Sequence, residues 1–283
     1  MKFLVLGATG MAGHTISIYL KERDHQVVAF SKRPFKYCEN IIGDAFDLPL
    51  LKSLLDNGNF DAVINCIGIL NNNAEENKKD AVFLNSYLPH YLSSITKEMK
   101  TRVIHMSTDC VFSGKNGKYA EESLRDGETF YDRSKALGEL ENTKDVTFRN
   151  SIIGPDRNEN GIGLFNWFMK QSGEISGYNK AIWTGVTTLT LAKAMEKAMY
   201  ENLTGLYNLV NNETINKFEL LVLFNTYFKE NTLSININDR VVVDKSLVNN
   251  RTDFKFVIPS YEEMVIEMKE WIVSHQDLYP HYS

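Results

Sequence analysis

Tyr131 and Lys135 stand four residues apart in a segment whose Ser134, Ala136, Leu137, Glu139 and Leu140 read as a helix. Residues at i and i+4 share a helical face one turn apart, so a phenol and an ammonium are set side by side. A free tyrosine titrates near roughly pH 10, and a neighbouring cation favours its phenolate and lowers that value. Upstream, an apolar run from Val103 to Met106 reads as a buried strand, and Ser107 and Thr108 follow it. Their hydroxyls then belong at the strand's C-terminal end, where one of them can hydrogen-bond a substrate carbonyl as charge builds on its oxygen. Phenol, ammonium and hydroxyl together suit proton transfer at a carbinol or ketone oxygen. The partner step is hydride transfer at the carbon, which needs a nicotinamide cofactor. A chain with thirteen tyrosines produces Tyr-x-x-x-Lys by chance, so the reading requires a dinucleotide signature elsewhere.

That signature opens the chain. Lys2–Leu6 is a short β-type run, followed by the cluster Gly7-Ala-Thr9-Gly10-Met11-Ala-Gly13 and a helix-like stretch from Thr15 to Leu20. Strand, glycine turn and helix form the context in which such glycines carry meaning. Gly7 permits the tight turn, Gly10 lets backbone approach a pyrophosphate, and Gly13 lets the helix pack on the strand. The helix N-terminus offers free N–H groups to the phosphates. The spacing is G-x-x-G-x-x-G rather than G-x-G-x-x-G.

Gln26–Phe30 reads as a second strand ending in Ser31, Lys32 and Arg33. An acidic residue at this point selects the ribose 2′-hydroxyl of NAD. A hydroxyl and two cations suit the 2′-phosphate of NADP instead. Ile41–Asp44 looks like a third strand, with Asp44 able to accept from the adenine amine and Ala45 beside it. Leu48–Leu55 is an amphipathic helix. Phe60–Gly68 is a near-continuous apolar run, as expected of a buried parallel strand. Cys66 is expected in the core, and Ile67 and Gly68 beside the cofactor, because ligands sit off strand C-termini. Asn71-Asn72-Asn73 and onward is expected as a polar loop, followed by a helical pattern from Val82 to Leu92. Within it, Asn85 either faces the site or lies on the surface.

Val146–Phe148 reads as the sixth strand. Short buried strands alternating with helices define an α/β, doubly wound parallel sheet of the Rossmann type. After Pro155 the rhythm changes: a loop at 158–163, a helix at 164–171, an amphipathic helix at 188–200, a strand at 206–210, and helices at 218–228 and 261–273. Residues 1–155 are expected to bind the dinucleotide. Residues 156–283 are expected to form a smaller substrate-binding portion, partly interleaved with the first.

The totals agree with this. Of 283 residues, 31 are Lys or Arg and 36 are Asp or Glu, a formal charge of −5 that argues against nucleic acid or an anionic membrane as partner. No apolar run approaches a spanning helix or a secretory signal. Three widely spaced cysteines and six scattered histidines show no metal or disulfide spacing, so no metal site is assigned and a reducing cytoplasm is the expected home.

These residues match a known family. Gly7-x-x-Gly10-x-x-Gly13, the Ser107-Thr108 strand end and Tyr131-x-x-x-Lys135 resemble the extended short-chain dehydrogenase/reductases. Within them the chain is most similar to the dTDP-4-dehydrorhamnose reductase group. The stretch Ser107-Thr-Asp-Cys-Val-Phe-Ser-Gly114 is close to that group's S-T-D-Y-V-F-x-G, and Tyr119–Ser123 and Ser134–Glu141 also look familiar from it. The resemblance implies Thr108, Tyr131 and Lys135 as catalytic residues. Tyr131 would protonate the oxygen of a nucleotide-linked 4-keto sugar, while Lys135 tunes it and binds the nicotinamide ribose. NADPH is the implied cofactor, with NADH as the alternative, and a homodimer is compatible with the group. Cys110 stands where the group has tyrosine. It also stands where dehydratases of the superfamily carry a glutamate, which argues against dehydration. The remaining alternatives are an epimerase of the same superfamily and a non-catalytic NADP-binding regulatory subunit. Arg157, Lys245 and Arg251 are candidates for the substrate diphosphate.

Overall fold

Phe3 and Val5 of the first strand, β1 (Lys2–Leu6), enter one apolar layer, while Leu4 and Leu6 enter another. A strand buried on both faces needs helices on both sides, which is the condition for a parallel sheet. In the computed structural model, which describes residues 1–282, β1 pairs in parallel with β2 (Gln26–Ser31) on one side. Beyond β2 lies β3 (Glu39–Ile42). On its other side β1 pairs with β4 (Ala62–Asn65), and the sheet continues through β5 (Arg102–Met106) and β6 (Val146–Arg149). The seventh strand, Gly205–Asn208, comes from the second half of the chain and pairs in parallel with β6. Strand order therefore reverses between β1 and β4, and a crevice opens off the carboxyl ends of these strands.

Helix α1 (Met11–Glu22) buries Ile16 and Leu20 on one face, in the layer that also holds Leu191, Met195 and Ala198 of the helix Thr188–Tyr200. Helix α2 (Leu48–Gly58) buries Leu51 and Leu55 on the other. Outside the main sheet the second half forms small sheets. Glu174–Tyr178 pairs with Ser234–Asn238, and Ala181–Trp183 lies between Ile215–Asn216 and Val243–Asp244. Among the described residues, no helix is long and apolar enough to cross a membrane.

Two expectations change. The strand at 60–68 is shorter, because the Asn65 side chain turns back to accept from the Ile67 amide at 3.1 Å and ends the ladder. The stretch expected as a polar loop is helical: α3 (Asn71–Glu76) and α4 (Lys78–Ala81) lead into a π-helical turn, Val82–Tyr87, and then α5 (Leu88–Ile95). Polar composition suggested a loop. What decides the conformation is burial of two small residues, Ala74 and Ala81, against Tyr131.

Candidate active site

The glycine turn is set by close approach of backbone. Gly7 has φ +81°, and a Cβ there would meet the Ile67 side chain at 3.1 Å and the Cys66 backbone at 3.2 Å. A Cβ on Gly13 would sit 2.2 Å from the Gly7 carbonyl oxygen. At Gly10, the N-cap of α1, the nearest such atom is the Gly7 oxygen at 3.4 Å, and the residue is exposed. Two glycines thus let the turn close, and the third leaves its outer face open. Thr9 and Met11 are partly exposed on either side of Gly10. Cys66, Ile67 and Gly68 continue β4 across the crevice, with Cys66 and Ile67 half-buried and Gly68 exposed. Burial pushes the Cys66 thiol up to about 12, as expected for a packing residue rather than a nucleophile.

Tyr131 and Lys135 lie on α6 (Phe130–Leu137), which starts at a capping box: the Asp132 amide donates to Thr129 Oγ1 and the Thr129 amide to Asp132, each at 3.1 Å. The helix is fastened from behind by the π-helical turn. Asn85 Nδ2 donates to Ser134 Oγ at 3.0 Å, and Ser86 Oγ donates to the Ser134 carbonyl at 2.7 Å. Asn85 also accepts from the Ile69 amide at 2.8 Å and donates to the Ile69 carbonyl at 2.9 Å. It is fully buried and so does not lie on the surface. It ties the segment after β4 to the helix between Tyr131 and Lys135.

The two hydroxyls after β5 part company, as alternation along a strand requires. Thr108 Oγ1 donates to Asp109 Oδ1 at 3.1 Å and accepts from the Cys110 amide at 3.2 Å, and its side chain works against the rise that burial imposes on the Tyr131 phenol. Ser107 turns the other way and donates to Glu139 Oε1 at 2.6 Å. Glu139 is clasped by the fully buried Arg149 (Nε–Oε1 2.9 Å, Nη2–Oε2 2.8 Å) and by Arg125. Lys135 Nζ donates to the Met106 carbonyl at 2.5 Å. The expected lowering of the phenol by Lys135 is not what governs it. Burial pushes Tyr131 up, Cys110 adds to this, and the Thr108 hydrogen bond opposes it. Burial brings Lys135 down to about 8, against the opposing charge of Glu139.

At the far end of the crevice, Ser31 Oγ is taken by the Arg33 carbonyl at 2.7 Å. Lys32 pairs with Asp44 at 3.0 Å and lies 5.7 Å from the Phe46 ring. Arg33 is exposed and Ala45 is buried. The Asp44 carboxylate, expected to meet an adenine amine, here meets a lysine.

The three candidate cations divide. Arg157 stacks over Phe35 and Tyr37, at 5.2 Å from each ring, beside the loop that follows β2. Arg251 donates to the carbonyls of Thr204 and Leu206 at 2.7 and 2.8 Å and pairs with Asp253 at 2.5 Å; it anchors the edge strand. Only Lys245 acts on the residues beside Thr108, its charge opposing the burial that raises Asp109. A fourth cation joins it. Lys217, the first residue of the helix Lys217–Phe228, lies 4.9 Å from the Trp183 ring, and its charge also acts on Asp109. Burial brings it down to about 8. Its one local signal is the capping box Asn216–Glu219 that starts the helix, and nothing in that motif points toward a site far away in the chain.

The parallel sheet with its glycine turn, and the tyrosine and lysine of α6, resemble the extended short-chain dehydrogenase/reductases. The chain belongs to the RmlD substrate binding domain family, which it matches over residues 1–237. A curated relative from Haloferax volcanii, the probable low-salt glycan biosynthesis reductase Agl14, is 32% identical over 143 residues; the match covers 49% of this chain and 48% of that protein. The chain thus spans about half the length of that relative. The spore coat polysaccharide biosynthesis protein SpsK of Bacillus subtilis is 25% identical over 224 residues, 77% of this chain and 76% of its own. Among solved structures, dTDP-4-dehydrorhamnose reductase from Bacillus anthracis in complex with NADP superposes with a TM-score of 0.79 at 19% identity, covering 94% of this chain and 98% of that one.

Proposed function

We propose that the protein is an NADPH-dependent reductase, with NADH as the alternative cofactor, acting on a nucleotide-linked 4-keto-6-deoxy sugar for polysaccharide or deoxysugar synthesis in the cytoplasm. The observation that carries this reading is the placement of Tyr131 and Lys135 one helical turn apart on α6, with Lys135 Nζ reaching the Met106 carbonyl at the end of β5, in a fold whose glycine turn is left open at Gly10. The likeness to a reductase solved with NADP supports it.

The open outer face at Gly10 fits a pyrophosphate, with Thr9, Gly10 and Met11 contributing the first turn of α1. Lys32 and Arg33 would hold the 2′-phosphate, Lys32 exchanging its pairing with Asp44. Cys66, Ile67 and Gly68 would form the opposite wall. A nicotinamide held there supplies hydride to C4 of the hexose. Tyr131 delivers a proton to the C4 oxygen as negative charge develops on it, and Thr108 donates a hydrogen bond to that same oxygen. Burial keeps Tyr131 protonated at rest, as a proton donor must be. Lys135 would leave the Met106 carbonyl to hold the nicotinamide ribose and to restore the positive charge beside the phenol. The division of labour follows the chain: 1–155 for the dinucleotide and 156–283 for the sugar nucleotide, with Lys217 and Lys245 as the cations nearest the reacting end.

The test is NADPH consumption with dTDP-, UDP- and GDP-linked 4-keto sugars. Turnover with at least one is expected. No turnover with any of them, together with stable association with another protein, would replace this reading with that of a non-catalytic subunit.

A further inference from the structure

His14, the residue after Gly13, is fully buried. Its Nδ1 lies 2.9 Å from the Gly10 carbonyl oxygen, and its Nε2 lies 2.7 Å from the Tyr279 hydroxyl, with Thr15 Oγ1 farther off at 3.5 Å. A carbonyl can only accept, so Nδ1 carries the proton and Nε2 accepts. The Tyr279 hydroxyl must therefore donate to Nε2, and its oxygen in turn accepts from Trp271 Nε1 at 3.0 Å. The donors run in one direction, from Trp271 through Tyr279 and His14 to Gly10, and the chain requires a neutral imidazole. Burial, the largest influence on this ring, brings its pKa down to about 4.

The same segment also holds a neighbouring loop. The Tyr282 hydroxyl donates to Asn166 Oδ1 at 2.8 Å and accepts from the Asp156 amide at 2.9 Å. Asn166 Nδ2 in turn holds the carbonyls of Glu159 and Gly161, at 2.9 and 2.7 Å. This loop ends at Gly163, where a Cβ would lie 3.1 Å from Met11 Sδ. Two tyrosines from one segment thus fasten both the glycine turn and the loop that meets Met11.

We propose that Tyr279 is a positioning residue for the dinucleotide site: acting through His14, it fixes the Gly10 carbonyl and with it the first turn of α1, where the pyrophosphate is received. This rests on the dinucleotide reading of the glycine turn given above. It assigns cofactor affinity to a side chain that belongs to neither the turn nor the Thr108–Tyr131–Lys135 cluster.

The test uses the full chain and the Tyr279→Phe variant, which keeps the ring edge-on to His14 at a centroid distance of 5.6 Å and removes only the hydroxyl. NADPH binding is measured by calorimetry, dTDP and UDP binding alongside it, and the His14 tautomer by nitrogen NMR. A buried donor and acceptor left unpaired together should weaken NADPH binding by about tenfold. The loss should appear in KM for NADPH rather than in kcat, with dTDP and UDP affinity unmoved. In the wild type His14 is expected protonated on Nδ1. Trp271→Phe, which removes the donor to Tyr279 together with part of the ring stacked on His275, should give a loss in the same direction. Finding the wild-type proton on Nε2 would overturn the proposal even if Tyr279→Phe failed to fold. So would unaltered NADPH affinity in either variant. A wild-type protein that binds neither NADPH nor NADH would remove the dinucleotide reading itself, and this inference with it.

Discussion

Asn85 donates to the Ser134 hydroxyl at 3.0 Å, which joins the π-helical turn to the middle of the helix bearing Tyr131 and Lys135. Its other bonds hold both backbone groups of Ile69, so one amide locks the segment after β4 to α6. Asn85→Leu leaves those groups unpaired and frees α6 to shift. A misplacement of about 1 Å costs on the order of 100-fold in rate, and kcat should fall by that order. Steady-state kinetics check this, with KM for NADPH changing much less.

Gly10 and Gly13 should respond differently to the same substitution. In Gly13→Ala the new methyl meets the Gly7 oxygen at 2.2 Å, and backbone cannot yield cheaply, so the variant should lose at least about 2 kcal/mol of stability. Gly10→Ala meets nothing closer than 3.4 Å and should melt like the wild type while losing about tenfold or more in NADPH affinity. Thermal melts paired with NADPH titrations separate the two. Equal destabilisation would mean that the outer face of the turn is not the open one.

Thr108→Val removes the hydroxyl proposed to donate to the substrate oxygen and keeps its shape. Loss of one donor to a developing oxyanion costs about 100- to 1000-fold in kcat, and that range is expected here with NADPH binding retained. Ser107→Ala, by contrast, should act through the Glu139 network and lower stability more than rate. Near-normal turnover in Thr108→Val would remove it from the chemistry.

Lys135 and Lys217 are both brought by burial from 10.5 down to about 8. A lowered lysine value means that between about 8 and 10.5 the unfolded chain binds more protons than the folded one. Stability from these groups therefore rises with pH through that window and is least below it. Activity that needs the Lys135 ammonium should move the opposite way, with kcat/KM falling above about pH 8. Lys217→Met should keep that fall and abolish its own share of the stability rise. A pH profile set beside urea melts checks both signs.

Arg149 and Glu139 form a fully buried ion pair that also receives Ser107 and Arg125. Removing Arg149 leaves the buried Glu139 carboxylate with Arg125 alone, so Arg149→Met should cost up to about 3–5 kcal/mol. The double variant Arg149→Met with Glu139→Gln should recover part of that loss, measured by urea denaturation.

Much of this protein could be read along the chain because the deciding interactions are local. Gly7, Gly10 and Gly13 act on one another within a single turn, so their spacing carried their meaning. Tyr131 and Lys135 are one helical turn apart, so their shared face followed from the period of the helix. The alternation of buried strands and helices likewise announced a doubly wound parallel sheet.

Other features depended on which distant surfaces met. Asn71–Glu76 is helical because Ala74 is buried against Tyr131, a contact that composition cannot foresee. The same hydroxyl chemistry in Ser107 and Thr108 was divided by strand pleat and by what lay on each side, Glu139 or Asp109. Arg251 was spent on the carbonyls of an edge strand, whereas Lys217 was brought toward Asp109 by a helix from the second half. Spacing settles chemistry wherever partners lie within a turn or two of backbone. Where burial and charge join residues far apart in the chain, only the packed fold selects the partner, because the free energy of the pairing resides in the excluded water and not in the residues themselves.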